Sequence, residues 1–290
     1  MNSTSNRQQQ DWHLRLPHGA TLSLASPVVM GILNVTPDSF SDGGKFSTHD
    51  LAIAQAERMI ADGAMIIDVG GESTRPGASP VTPEEEQSRV IPVIRELAKR
   101  TGITISIDTY HSDTAERALD AGASIINDIT ALRGDTRMTA VAAKSGAPVI
   151  LMHMLGTPQT MQQSPMYANV VAEVMEFLQD RIAFAVNAGI RPEQIVIDPG
   201  IGFGKRLEDN LALLRHLGDF AALGKALMIG VSRKSFIQKI DQTAIAPTDR
   251  LGGTLAATII ALQQGARIIR AHDVRETVQA IKIRERIASA

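Results

Sequence analysis

Eight short apolar runs in this chain each end on a residue able to exchange a hydrogen bond or a proton: Asn34, Asp68, Asp108, Asn127, His153, Asp198, Ser232 and His272. Three of these are carboxylates, and an unpaired carboxylate among apolar strands is costly, so a site built from them needs a partner with several N–H donors. A second set is cationic. Arg233 and Lys234 stand in "GVSRKSFIQK" just before a helix start, where free backbone N–H groups can also hold an anion. Arg270 and His272 lie two apart in "RAHD", on one side of an extended strand end. With Asn34 and Arg75, these donors match phosphate oxygens. The glycine-rich "DPGIGFGK", residues 198–205, fits neither the P-loop nor the dinucleotide fingerprint, and its glycines suit a backbone that approaches a ligand closely. No Ser/His/Asp arrangement for a protein nucleophile is evident.

Such residues converge only if the strands carrying them run side by side. Glycines 63, 122, 146 and 265 each close a helix-like segment, and a strand rich in Val, Ile and Leu follows. Adding "VVMGILN", "ITISIDT", "IVIDPG" and "ALMIGVS" makes eight runs, separated by segments of helical periodicity such as 49–62, 83–100, 169–188 and 273–288. Continuous apolar runs are typical of parallel strands buried on both faces, and eight of them predict a (β/α)8 barrel with its site at the C-terminal strand ends. An open doubly wound sheet is the competing architecture. Ahead of the first unit, Trp12, Leu14 and Leu16 alternate, a turn falls at Pro17–Gly19, and Leu22 and Leu24 alternate again, as expected of a hairpin closing the barrel bottom. The loops after "GILN" and "IIDVG" are far longer than the usual two to six residues, which suggests lids.

Composition narrows the function. The 290 residues are 44% hydrophobic with a formal charge of −2, so there is no basic excess for nucleic acid, and at 3% aromatic the chain lacks stacking platforms for single strands. Cysteine is absent, so any metal must be held by oxygen or imidazole. "MNSTSNRQQQ" lacks the apolar stretch of a signal peptide, and no run reaches the roughly 18 residues of a membrane span. These features predict a cytoplasmic protein without a membrane partner, with a disordered tail over 1–10 and a single domain over 11–290.

A flat, donor-rich heterocycle such as a pterin or a purine would satisfy the acids. The motifs themselves go further: "GILNVTPDSFSDGG", "DVGGESTRPGA", "SIDTY", "IND", "LMHM", "DPGIGFGK", "GVSRKS" and "RAHDV" stand in an order that resembles the dihydropteroate synthase family from about residue 28 to 288. The resemblance implies an enzyme that joins 6-hydroxymethyl-7,8-dihydropterin diphosphate to p-aminobenzoate, releases diphosphate, uses Mg²⁺ and is inhibited by sulfonamides. It implies pterin contacts from Asp108, Asn127, Met152, Asp198, Gly202, Phe203 and Lys234, with Asp198 facing the amino-pyrimidinone edge. Diphosphate would fall to Asn34, Thr74, Arg75, Arg270 and His272, with Asn34 also holding the metal. p-Aminobenzoate would meet Thr74, Pro76, Phe203, Lys234 and Ser235, while Phe40, Asp42, Arg75, Asp108 and Lys234 serve the chemistry. A homodimer is the assembly implied. Leu155 and His111 depart from the pattern, standing where the family commonly has a polar and a basic residue. Two alternatives stay open: a pterin-binding methyltransferase on the same barrel, and a non-catalytic pterin-binding paralogue.

Overall fold

The computed structural model describes residues 12–36, 48–73 and 80–290. A two-stranded antiparallel hairpin comes first, β1 (His13–Arg15) and β2 (Thr21–Ser23), joined through a 3-10 turn at Pro17–Gly19. Eight strands follow: β3 (Val28–Asn34), β4 (Ile66–Gly70), β5 (Thr104–Asp108), β6 (Ile125–Asp128), β7 (Val149–Met152), β8 (Ile195–Asp198), β9 (Ala226–Ile229) and β10 (Ile268–Ala271). All their pairings are parallel, and β10 bonds to β9 on one side and β3 on the other. The sheet is therefore a closed barrel, and the open doubly wound alternative is excluded. Around it run α1 (Thr48–Ala61), α2 (Pro83–Arg100), α3 (Ser112–Ala121), α4 (Met138–Ser145), α5 (Val170–Asn187), α6 (Leu207–Arg215), α7 (Ser235–Ile240), α8 (Leu251–Gln263) and α9 (Val274–Ala288). No described helix is long and apolar enough to cross a membrane.

Local chemistry sets the helix ends. Thr82 caps α2 by accepting the Glu85 N–H at 3.2 Å, Pro83 fits the first turn, and Glu84 to Glu86 and then Lys99 and Arg100 complement the two ends of the helix dipole. The glycines expected to close helices do so with left-handed φ, as at Gly122 (117°), whose missing side chain also leaves room for Ala98 on α2.

Strand alternation separates two cores. Outward positions such as Val29, Ile67, Val69, Ile105, Ile107, Ile126, Leu151, Ile197 and Ile269 pack against the helices. Inward positions near the strand starts, Val28, Met30, Ile66, Ile125, Ile150, Val196, Met228 and Ile268, fill the lower barrel. Leu14, Leu22 and Leu24 of the hairpin join this second cluster, with Trp12 and Leu16 packed beside it, so the hairpin plugs the bottom as its pattern predicts.

Candidate active site

Farther along the same inward rows the residues turn polar. After Ile66 comes Asp68, after Ile125 comes Asn127, after Val196 comes Asp198, and after Ile268 comes Arg270, while β5 points Ser106 and Asp108 inward. Register places Asp68 beside Ser106, and Asp108 between Gly70 and Asn127. Arg270 reaches past β3: Nε donates to Asp68 Oδ2 at 2.6 Å and Nη2 to Asp108 Oδ2 at 2.7 Å. Asn127 Nδ2 donates to the same Asp68 oxygen at 3.1 Å, and the buried Asp68 Oδ1 has no partner among the described residues. Asp68, read from sequence only as a strand-end acid, is thus the hub of the well. Burial pushes the Asp108 carboxyl up from its ordinary range, opposed by the Arg270 guanidinium. Burial likewise raises Asp198, whose Oδ1 accepts the Gly200 N–H at 2.8 Å and which lies in the field of Lys234.

Lys234 precedes α7, and its Nζ stands 4.0 Å over the centre of the Phe203 ring. Burial pulls its ammonium down to about 8, with the Asp198 charge opposing. The side chain passes Gly202, where φ is +83° and a Cβ would lie 3.1 Å from Lys234 Cδ. Met152, beside Asp198 in register, joins Met154, Met161 and Ile129 in a small apolar wall against which Phe203 and Tyr110 pack. His272 Nδ1 lies 2.9 Å from Ser232 Oγ, which also accepts the His272 backbone N–H at 3.1 Å. Ser235 is exposed at the start of α7, a helix of only six residues and hence a weak dipole.

Several sequence expectations change here. Arg233, read as an anion donor, gives its fork to Asp273, with Nε donating to Oδ2 at 3.0 Å, while its φ of 58° is held by a backbone bond to Thr254 Oγ1 at 3.0 Å. His153 does not join the well. Its ring meets Phe177 of α5 edge-on at 4.8 Å, and burial beside Lys205 lowers it to about 2, so it stays neutral. Phe40, Asp42, Thr74, Arg75 and Pro76 lie outside the described residues, as does the tail over 1–10. His111 Nδ1 pairs with the buried Glu86 at 3.0 Å, which also accepts Thr109 Oγ1 at 2.9 Å, and Tyr110 OH reaches both Glu72 oxygens at 3.0 Å. These bonds fasten the loop after β5 to α2 and to the residues just after β4. Lys205, 1% exposed, was passed over in the sequence, where its one signal is a lysine closing a glycine-rich stretch. Burial pulls it down to about 7.

A divalent cation can be tested against this geometry. Among the described residues no three His, Cys, Asp or Glu side chains cluster to cage an ion. Beside Gly70, an ideal Cβ would lie 3.9 Å from Asn34 Oδ1 and 3.7 Å from Asp108 Oδ2, and because Asp108 Oδ2 already accepts Arg270 Nη2 at 2.7 Å, Asn34 Oδ1 is the hard oxygen left for a cation there. A single amide oxygen is compatible with Mg²⁺, which takes few protein ligands and completes its shell with water and phosphate.

The family model for pterin binding enzymes matches residues 30–272. The chain is 49% identical over 272 residues to the dihydropteroate synthase of Escherichia coli K12, covering 94% of this chain and 95% of that protein. A Yersinia pestis dihydropteroate synthase solved as a sulfonamide drug complex is 46% identical with a TM-score of 0.90, covering 96% of this chain and 100% of that one. The Xanthomonas albilineans enzyme in complex with 7,8-dihydropteroate is 41% identical with a TM-score of 0.88, covering 96% and 99%.

Proposed function

This chain belongs to the dihydropteroate synthase family of pterin-binding enzymes, and from that membership we propose that it condenses 6-hydroxymethyl-7,8-dihydropterin diphosphate with p-aminobenzoate, giving 7,8-dihydropteroate and diphosphate. The observation that carries the reading is the ring of Asp68, Asp108, Asn127 and Asp198 at the floor of a well whose lip is Lys234 stacked on Phe203. Acceptors at depth fit the N–H edge of a pterin, and an aromatic lip fits an arylamine.

On this reading Asp198 and Asn127 hold the pyrimidinone edge, Asp108 and Lys234 flank the ring, and Met152, Gly202 and Phe203 line its faces. His272 and Arg270 take diphosphate oxygens, with Asn34 below them, and Ser235 borders the arylamine beside Phe203. The loops bearing Phe40, Asp42, Thr74, Arg75 and Pro76 complete both outer subsites. Loss of diphosphate from the pterin methylene leaves a cation that the ring nitrogens stabilise and the arylamine nitrogen captures, giving up one N–H proton to solvent or the departing diphosphate, so no protein nucleophile is required. The protein's task is to hold the leaving group, exclude water and position the amine. Mg²⁺ at Asn34 would neutralise charge gathering on the leaving diphosphate. The Yersinia pestis enzyme takes a sulfonamide drug, and on this reading sulfonamides would compete at the Phe203 lip. A homodimer accompanies the reading. Its support is the outer side of α8, where Gly252, Ala256 and Ile260 line up at helical spacing and Ile260 is 45% exposed. A cytoplasmic site of action goes with it.

The test is a two-substrate assay with the pterin diphosphate, p-aminobenzoate and Mg²⁺, separating products by chromatography. Equimolar dihydropteroate and diphosphate are expected. Pterin binding without turnover would favour a non-catalytic paralogue, and methyl transfer from a methylated pterin would favour the methyltransferase.

A further inference from the structure

We propose that Lys205 is a positioning residue for the second substrate: its buried amine ties the end of β7 to the Phe203 carbonyl and so fixes the Phe203 ring over Lys234. The proposal rests on the function above. Nζ lies 2.8 Å from His153 Nδ1, 3.0 Å from the Phe203 carbonyl and 3.4 Å from the His153 carbonyl, three acceptors for three N–H groups. With Nδ1 accepting, the proton of the neutral imidazole sits on Nε2. Among the described residues no carboxylate forms an ion pair with Lys205, and Asp198 and Asp209 act on it only through space. An ammonium buried without a counter-ion is expensive, and a methionine would fill the same volume at less cost. What methionine cannot supply is three directed bonds from one point.

The segment those bonds hold has little stiffness of its own. Gly200, Gly202 and Gly204 have φ of +71°, +83° and +63°, so much of the backbone from 200 to 204 is in the region glycine alone adopts freely. It lies flush against the residues after β7: an ideal Cβ at Gly200 would overlap the His153 carbonyl oxygen, and one at Gly204 would come 2.7 Å from the Leu155 carbonyl oxygen. Phe203 sits in this segment. The acids of the floor, by contrast, stand on strands and are fixed by the barrel register. Loss of the Lys205 amine should therefore loosen the lip and spare the floor.

The experiment compares Lys205→Met, Phe203→Ala and the double variant in the two-substrate assay, with pterin affinity measured by calorimetry. Lys205→Met is expected to raise the p-aminobenzoate KM about tenfold. Pterin Kd should rise by clearly less than the KM, about threefold at most, because Phe203 is one pterin contact beside the strand-borne acids, and Lys205→Met in the Phe203→Ala background should add almost nothing. A crystal structure of the variant should show residue 203 displaced, a readout independent of what the enzyme makes. Equal losses in KM and pterin Kd, or multiplying effects in the double variant, would overturn the proposal. Should Lys205→Met not fold, Lys205→Gln keeps two donors and takes its place, and failure of both would assign Lys205 to stability alone. Wild-type protein that makes no dihydropteroate would instead refute the underlying function.

Discussion

Arg270 shows how a role implied by family gains a second part once partners are visible. The resemblance casts it with His272 as a diphosphate ligand, yet its guanidinium is bonded to Asp68 and Asp108, and those carboxylates hold its proton more firmly against the lowering effect of burial. The two residues should therefore separate on substitution. His272→Ala is expected to weaken the pterin diphosphate while leaving a phosphate-free pterin unchanged. Arg270→Ala should weaken both and lower stability by about 3–5 kcal/mol, because two buried carboxylates lose their cation. Calorimetry with both ligands and urea unfolding check this, and Arg270→Ala with normal affinity for the simple pterin would contradict it. Lys205 carries a pH signature. Its folded value of about 7 lies below the ordinary 10.5, so the unfolded state holds the proton more tightly. The cost of burying the charge is full below about pH 7 and fades as pH rises toward 10.5. Between pH 7 and 9, wild-type stability should thus rise relative to Lys205→Met, by about 1 kcal/mol per pH unit, in parallel urea titrations.

At the scale of elements, the connection from β8 to α6 behaves as a fitted part. Gly200→Ala would put a methyl group into the His153 carbonyl at a left-handed φ, and a loss of about 1–3 kcal/mol or more is expected by chemical denaturation, together with weaker pterin binding through Asp198. Alanine tolerated there without cost would mean that the two segments are not in close contact. The barrel strands were legible in the sequence because a parallel sheet covered on both faces must be apolar throughout, and the glycines at 63, 122, 146 and 265 marked where four of them start. The inward acids were legible because a polar residue ending such a run has little other reason to be there. The sequence could not reveal which way a residue just beyond a strand turns. His153 follows the inward Met152 and faces the helices, Arg233 spends its fork on Asp273, and neither outcome has a local signal. Lys205 was hidden for the same reason, since two of its three acceptors belong to His153, 52 residues away in a different loop.

The whole molecule divides function from stability along the barrel axis. The polar ring occupies one end and the hairpin-sealed apolar cluster the other, so damage at the bottom should not reach the site. Leu24 is fully buried against the lower barrel, and Leu24→Ala is expected to cost about 2–5 kcal/mol in urea unfolding while leaving pterin affinity, measured on the folded protein, unchanged. Loss of affinity on that change would show that the two layers are coupled. The plug also bears on kinetics. With the bottom closed by the hairpin, access among the described residues is from the strand-end side, and the deepest occupant must arrive before anything that sits above it. In the proposed reaction the pterin diphosphate would load first and p-aminobenzoate second, so an inhibitor resembling the arylamine should bind well only after the well is filled. Product must leave by the mouth through which both substrates came, which makes its departure a natural bottleneck for turnover.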